Sequence, residues 1–167
     1  MKTIIVFFVA YISLTTAYSQ TSEEYLLRGI SKANLEDYRG AIADYNKAIE
    51  IDPNYVDAYN IRGISKRSLQ DYRGAIADYN RAIEIDPNYA STYYNRGNSK
   101  RSLQDHRGAI ADYNRAIEID PNYAYAYFNR GVTKIKLNQK DSGCLDLSKA
   151  GELGYGDAYE LIRKYCN

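Results

Sequence analysis

The sequence predicts an all-α fold, an α-solenoid of about four antiparallel helix pairs closed by a C-terminal capping helix. Three observations predict it. The only prolines, Pro53, Pro87 and Pro121, recur at a fixed spacing of 34 residues. Residues 56–89 and 90–123 agree at 27 of 34 positions, differing only at 56/90, 57/91, 58/92, 60/94, 61/95, 64/98 and 72/106. Each unit carries two apolar stripes at helical spacing, separated by a short polar break. The chain has 167 residues, 45% hydrophobic and 26% charged, a globular composition with 19 Tyr, 3 Phe and no Trp.

The elements follow in order. Met1 and Lys2 precede an uncharged apolar run from Ile4 to Leu14, with Ala17 and Ser19 as small residues beyond it. This is the pattern of a secretory signal peptide over residues 1–19, cleaved before Gln20 or alternatively after Ala17. The run is short for a bilayer-spanning helix, although an uncleaved anchor is the competing reading. Export into the periplasm or medium is therefore expected. Cleavage removes Lys2 and no acid, leaving 21 basic against 21 acidic side chains, where the whole chain has a net charge of +1. Such a balance excludes general nucleic-acid binding, which needs a cationic surface.

Four units are expected at 22–55, 56–89, 90–123 and 124–157, with residues 158–167 as the capping helix and C-terminus. In the second unit Val56, Tyr59, Ile61, Ile64 and Leu69 mark the first helix, and Ala75, Ile76, Tyr79, Ala82 and Ile83 the second. Asp71, like Asp37 and Asp105, is placed to cap the second helix. Asp86-Pro87-Asn88 ends the pair because Pro87 lacks the amide that a continuing helix would use. Gly29, Gly63, Gly97 and Gly131 each stand mid-helix, a liability of about 1 kcal/mol that needs a compensating close approach. Gly63 is expected to meet Ala75, and the Tyr59 and Tyr79 rings are expected to be buried. The fourth unit keeps Tyr127, Arg130, Gly131 and Lys134 in phase, then drifts, with Tyr155 in the proline position. Degeneration followed by a short amphipathic tail suits the open end of an array.

Gly63, Ala75, Tyr79, Ala82 and Pro87, with Tyr59 at a bulky aromatic position and a period of 34, resemble the tetratricopeptide repeat. The resemblance covers nearly all of the expected mature chain. It implies a right-handed superhelix that binds peptide segments of other proteins in its concave groove, without catalysis and without a cofactor. The tail also resembles the ends of exported repeat proteins of the Bacteroidetes. The chaperone-gripping subset of the family wants Lys and Asn one turn apart where this chain has Leu26 and Ile30, so that specialisation is not expected.

By this resemblance the concave wall is lined by Glu23, Leu26, Ile30 and Ala33, then Asp57, Asn60, Ile64 and Arg67. Ser91, Tyr94, Asn98 and Arg101 follow, and finally Tyr125, Phe128, Val132 and Ile135. Four of the seven differences between the central units, at 57/91, 60/94, 61/95 and 64/98, fall on or beside this stripe, while the second helices are almost copied. The candidate peptide-binding set is Asn60, Ile64, Arg67, Tyr94, Asn98, Arg101, Tyr125, Phe128 and Val132. Amides can bond a peptide backbone and guanidinium groups can hold a carboxylate. The expected ligand has an acidic group in the middle of the groove and an apolar residue toward the C-terminal repeats. The alternative for the apolar end is that it packs under the final helix.

Arg28, Arg62, Arg96 and Arg130 precede the helix glycines, nearly level with Asp44, Asp78, Asp112 and Asp146 across each hairpin. They form either four repeated ion pairs or two solvated faces. The second helix of the fourth unit is expected at 141–152 and the last helix at 157–165, which sets Cys144 and Cys166 level with each other. A disulfide pinning the cap is expected, the alternative being two buried thiols. The single histidine, His106, stands where sister units have Tyr38 and Tyr72 and reads as a packing residue. No nucleophile–base set, metal-ligand cluster or phosphate loop occurs in the sequence, so no enzyme, metal or cofactor is expected. The rival function is self-association as a structural part of an envelope assembly.

Overall fold

The computed structural model describes residues 21–166; the signal segment expected at 1–19 lies outside them. The described residues form nine α-helices and no strand. They are α1 (Ser22–Asn34), α2 (Tyr38–Ile51), α3 (Val56–Ser68), α4 (Tyr72–Ile85), α5 (Ala90–Ser102), α6 (His106–Ile119), α7 (Ala124–Lys136), α8 (Lys140–Glu152) and α9 (Ala158–Tyr165). Pairs α1–α2, α3–α4, α5–α6 and α7–α8 are hairpins, and each second helix packs on the first helix of the next unit. Helix α9 packs on α8.

Every hairpin turn uses the same local chemistry. Glu36, Gln70, Gln104 and Asn138 adopt φ of 61–63° at the end of each first helix. The backbone then closes two reversed bonds, Glu36 N–H to Ala33 O and Asp37 N–H to Lys32 O in the first unit, which satisfies the last carbonyls of α1. Asp37 next starts α2, its carboxylate accepting from Gly40 N–H at 2.9 Å. Asp71 and Asp105 repeat this bond at 2.9 Å. A Cβ on Gly40 would stand 2.0 Å from Asp37 Oδ2, the carboxylate oxygen beside the capping Oδ1. Helix α8 begins at Gln139 without such a cap. Between units, Asp52, Asp86 and Asp120 each accept from the amide of the Asn two residues on, folding the Asp-Pro-Asn turn.

The core is a column of small residues and tyrosines. Ala41, Ala75 and Ala109 pack inside hairpins and Ala48, Ala82 and Ala116 between units, all fully buried with Tyr45, Tyr79 and Tyr113. The helix glycines allow the close backbone approach expected: a Cβ on Gly97 would lie 3.2 Å from the Ala109 carbonyl oxygen, and one on Gly131 2.8 Å from that of Gly143. A Cβ on Gly63 would lie 2.5 Å from Tyr79 Cε1, and one on Gly29 2.4 Å from the matching atom of Tyr45. In the first three units the flat tyrosine ring of the second helix also fills the space that the glycine leaves. Tyr59 is only half-buried, contrary to expectation: its hydroxyl reaches the Pro53 carbonyl at the solvent edge.

Cys144 and Cys166 are joined, with Cα atoms 5.8 Å apart. The bond ties the C-terminal end of α9 to α8. Gly151 leaves room for the Tyr159 ring, since a Cβ there would meet its Cζ at 2.8 Å.

Candidate functional site

The first helices of adjacent units touch one another, α1–α3, α3–α5 and α5–α7, more than any pair of second helices does. The array therefore curves toward its first helices, and these form the inner wall.

Arginines occupy two separate environments. Arg62 donates through Nε and Nη2 to both oxygens of Asp78, at 2.9 and 2.6 Å, and Lys66 reaches the same carboxylate at 2.8 Å. Arg96–Asp112–Lys100 and Arg130–Asp146–Lys134 repeat the arrangement, as does Arg28–Asp44–Lys32. The four aspartates are buried. Nη1 of Arg62, Arg96 and Arg130 also reaches Asn46, Asn80 and Asn114 of the preceding unit, at 2.7–2.8 Å. These arginines stitch hairpins and units together and take no part in the wall.

Arg67 and Arg101 lie on the inner wall without an acidic partner among the described residues. Arg101 Nη1 donates to the Asn129 side-chain Oδ1 at 3.2 Å. Arg67 has its Nε buried without a hydrogen-bond partner, and its guanidinium stands beside the Tyr79 hydroxyl. The acid on α3, Asp57, stands at the opposite end of the helix and is engaged by the Tyr89 hydroxyl at 2.8 Å. Burial pushes the Tyr79 and Tyr113 hydroxyls up and takes Tyr123 up to about 12. The tyrosines are therefore neutral near pH 7, and the middle of the wall keeps the positive charge of its two arginines.

The asparagines of the candidate set sit elsewhere than on an open surface. Asn60 and Asn98 are only 6% and 5% exposed. Asn60 accepts from Asn95 Nδ2 at 3.2 Å. Asn98 accepts from the Tyr113 hydroxyl at 2.8 Å and from Asn129 Nδ2 at 3.2 Å, and Asn129 also donates to the Tyr94 hydroxyl. The amides form a ladder between successive first helices. Much of the variation between the central units thus serves packing, because a buried amide introduced at one position needs a partner one repeat away. Asn95 and Asn129 complete the ladder. Sequence reasoning missed Asn129, although it falls one 34-residue period after Asn95.

Ile64, Tyr94, Phe128 and Val132 are partly exposed, and Tyr125 is more than half exposed. Tyr94 packs against Tyr123 with ring centres 5.1 Å apart. Tyr125 and Phe128 meet Tyr155, from the chain's own last turn, at 5.0 and 4.6 Å. Val132 and Ile135 line a cavity of about 420 Å³ with Lys136, Leu161 and Tyr165, so α9 partly roofs the apolar end. His106 opens α6, half-buried, with Nδ1 lacking a hydrogen-bond partner. Among the described residues no group of three or more His, Cys, Asp or Glu could hold a metal ion, and no helix is long and apolar enough to cross a membrane.

Stacked antiparallel hairpins with an inner wall of first helices define the class of helical-repeat interaction proteins. The chain belongs to the TPR repeat family, whose model matches residues 33–65, 63–102 and 97–138. It is similar to solved structures of MamA, one of them 26% identical over 90% of this chain and 88% of that one, with a TM-score of 0.78. The first TPR of Spaghetti (RPAP3), solved with the HSP90 peptide SRMEEVD, is 26% identical over 72% of this chain and 95% of that one, with a TM-score of 0.70. MamA from Desulfovibrio magneticus RS-1, at 22% identity over 79% and 75% of the two chains and a TM-score of 0.73, shares the fold. No curated protein matches the chain.

Proposed function

We propose that the mature chain is a non-catalytic, exported scaffold that binds an extended segment of another protein along its inner wall, with an acidic group of that segment held by Arg67 and Arg101. One observation carries the reading: the repeated framework arginines each have a buried aspartate, whereas these two wall arginines have none. Unpaired guanidinium groups on a concave surface match a carboxylate, which they can hold with paired bonds. The similar RPAP3 domain is bound to the HSP90 peptide SRMEEVD, which has three acidic residues. Tyr94 and Tyr125, with ring centres 6.4 Å apart, supply ring surface on the same wall, while Phe128 and Val132 are partly taken up by Tyr155 and α9.

Export rests on the apolar leader and on a disulfide, a bond that persists in oxidising compartments. Two measurements test the proposal. Intact mass of the protein from its own envelope or medium should place the N-terminus at Gln20. Protein captured from that fraction should be lost when Arg67→Glu and Arg101→Glu are combined, in a variant whose melting temperature is unchanged. Retained capture overturns the placement of the site. A stable oligomer with this wall occluded would favour the assembly role instead.

A further inference from the structure

The inner wall contains a cavity of about 340 Å³ between α1 and α3, lined mainly by Ile30, Ala33, Ile61, Ile64, Ser65 and the Tyr45 ring. Its floor is the fully buried Tyr45 ring, whose hydroxyl stands beside Ser65 and, like that of Tyr79 one period on, is itself out of solvent's reach.

The repeat itself explains why the space exists. One period on, Arg67 stands at the position of Ala33, Tyr79 at that of Tyr45 and Ser99 at that of Ser65. There the arginine lies over the tyrosine, with Nε buried and the guanidinium beside the hydroxyl. In the third unit Arg101 takes the same place, and Asn98 accepts the Tyr113 hydroxyl bond. The first unit has Ala33 and Ile30 in these roles, so it has neither the arginine stem nor the amide. Ile61 and Ile64 also replace the Asn95 and Asn98 of the next junction, which makes these walls more apolar.

We infer that this cavity is the anchor pocket for a large apolar side chain (Leu, Met or Phe) of an acidic partner peptide. The occupant follows from charge complementarity. Arg67 lies one helical turn from Ile64, which lines the pocket, so the pocket borders the wall's positive charge. Neighbouring helices stand about 8–10 Å apart and an extended strand advances about 3.3 Å per residue. Anchor and acid therefore fall within about three residues of each other. This places the apolar contact in the N-terminal repeats, opposite to the end at which Tyr155 and α9 cover the wall.

The inference rests on the inner-wall reading above, and the experiment separates the two. The probe is an array of short synthetic peptides, each with one Leu, Met or Phe and an Asp-Glu pair at varied spacing, titrated by fluorescence anisotropy against the full chain. Ala33→Arg writes into the first unit the residue that the second and third already carry, so it leaves the fold intact, as a thermal melt will show. It should weaken the best peptide by about tenfold or more. Replacing that peptide's apolar residue by Ala should weaken it equally for the wild type and have little further effect on the variant. If binding depends on Arg67 and Arg101 but is indifferent to Ala33→Arg and to the peptide's apolar residue, the pocket assignment is wrong and the wall reading stands. If no peptide of the array binds, both are overturned.

Discussion

Asp78 accepts two bonds from Arg62 and one from Lys66 while its side chain is only 5% exposed, and Arg62 itself is 16% exposed. The sequence argues for a pair across the hairpin but gives no sign of its depth, and depth sets its energetics. An exposed pair contributes about 0–1 kcal/mol. Removing one member of a buried pair costs about 3–5 kcal/mol, because the remaining charge has nowhere to go. Arg62→Leu should accordingly lower the stability by about 3 kcal/mol in urea titration, with much of this recovered in the double variant Arg62→Leu, Asp78→Leu. Two single variants of wild-type stability would remove the pairing from the account. Asp44 gives the same network a pH dependence. The Arg28 hydrogen bond, with Lys32 adding to it, holds its carboxyl below the usual 3.8 against the opposing effect of burial. Folding lowers this pKa, so the unfolded chain binds the proton first as the pH falls. The stabilisation is whole above about pH 4 and is lost as the pH drops through the folded-state value. The drop in urea midpoint between pH 7 and about pH 3 should be smaller in Asp44→Asn than in the wild type.

At the scale of the helix, hairpin geometry comes from a short turn in which one residue at positive φ and one capping aspartate do all the reversing. Asp71 as a cap is legible in the sequence, because a carboxylate after a polar break and before an apolar stripe has few other uses. The left-handed residue is not legible, since Gln70 and Glu36 are not residues that favour positive φ. Tertiary packing of both helices holds them there. The helix glycine is legible as a close approach, but the tyrosine ring that crowds it in the first three units is not. Gly63→Ala improves helix propensity, yet its Cβ would press on the buried Tyr79 ring at 2.5 Å. A net loss of about 1–3 kcal/mol is expected in denaturant melts. Gly156→Ala, where nothing lies within 4 Å, should stay within about 0.5 kcal/mol of wild type.

Over the whole molecule, stability passes from unit to neighbour, so the ends decide how far fraying reaches. Helix α9 packs on α8 and is pinned there by the bond between Cys144 and Cys166, 22 residues apart. Closing a loop of that length contributes about 3 kcal/mol. Reduction should therefore raise amide hydrogen exchange in α9 and then α8, with α3 to α6 unaffected; uniform exchange across the array would show that the bond carries nothing local. Tyr155 belongs to the same end structure. Its contact with Tyr125 and Phe128 explains why the wall is open in the first three units and partly closed in the fourth.

The sequence by itself determined the number of units, the helix faces, the caps and the level placement of Arg62 with Asp78 and of Cys144 with Cys166. All of these follow from a 34-residue period folded at known turns, and periodicity is a local property. Only the tertiary structure decided which wall residues face out. Asn60 and Asn98 share a helix face with Arg67 and Arg101, yet the close approach of neighbouring first helices turns the short amides into a buried ladder. The longer arginines reach past that seam, with no acid of their own to meet.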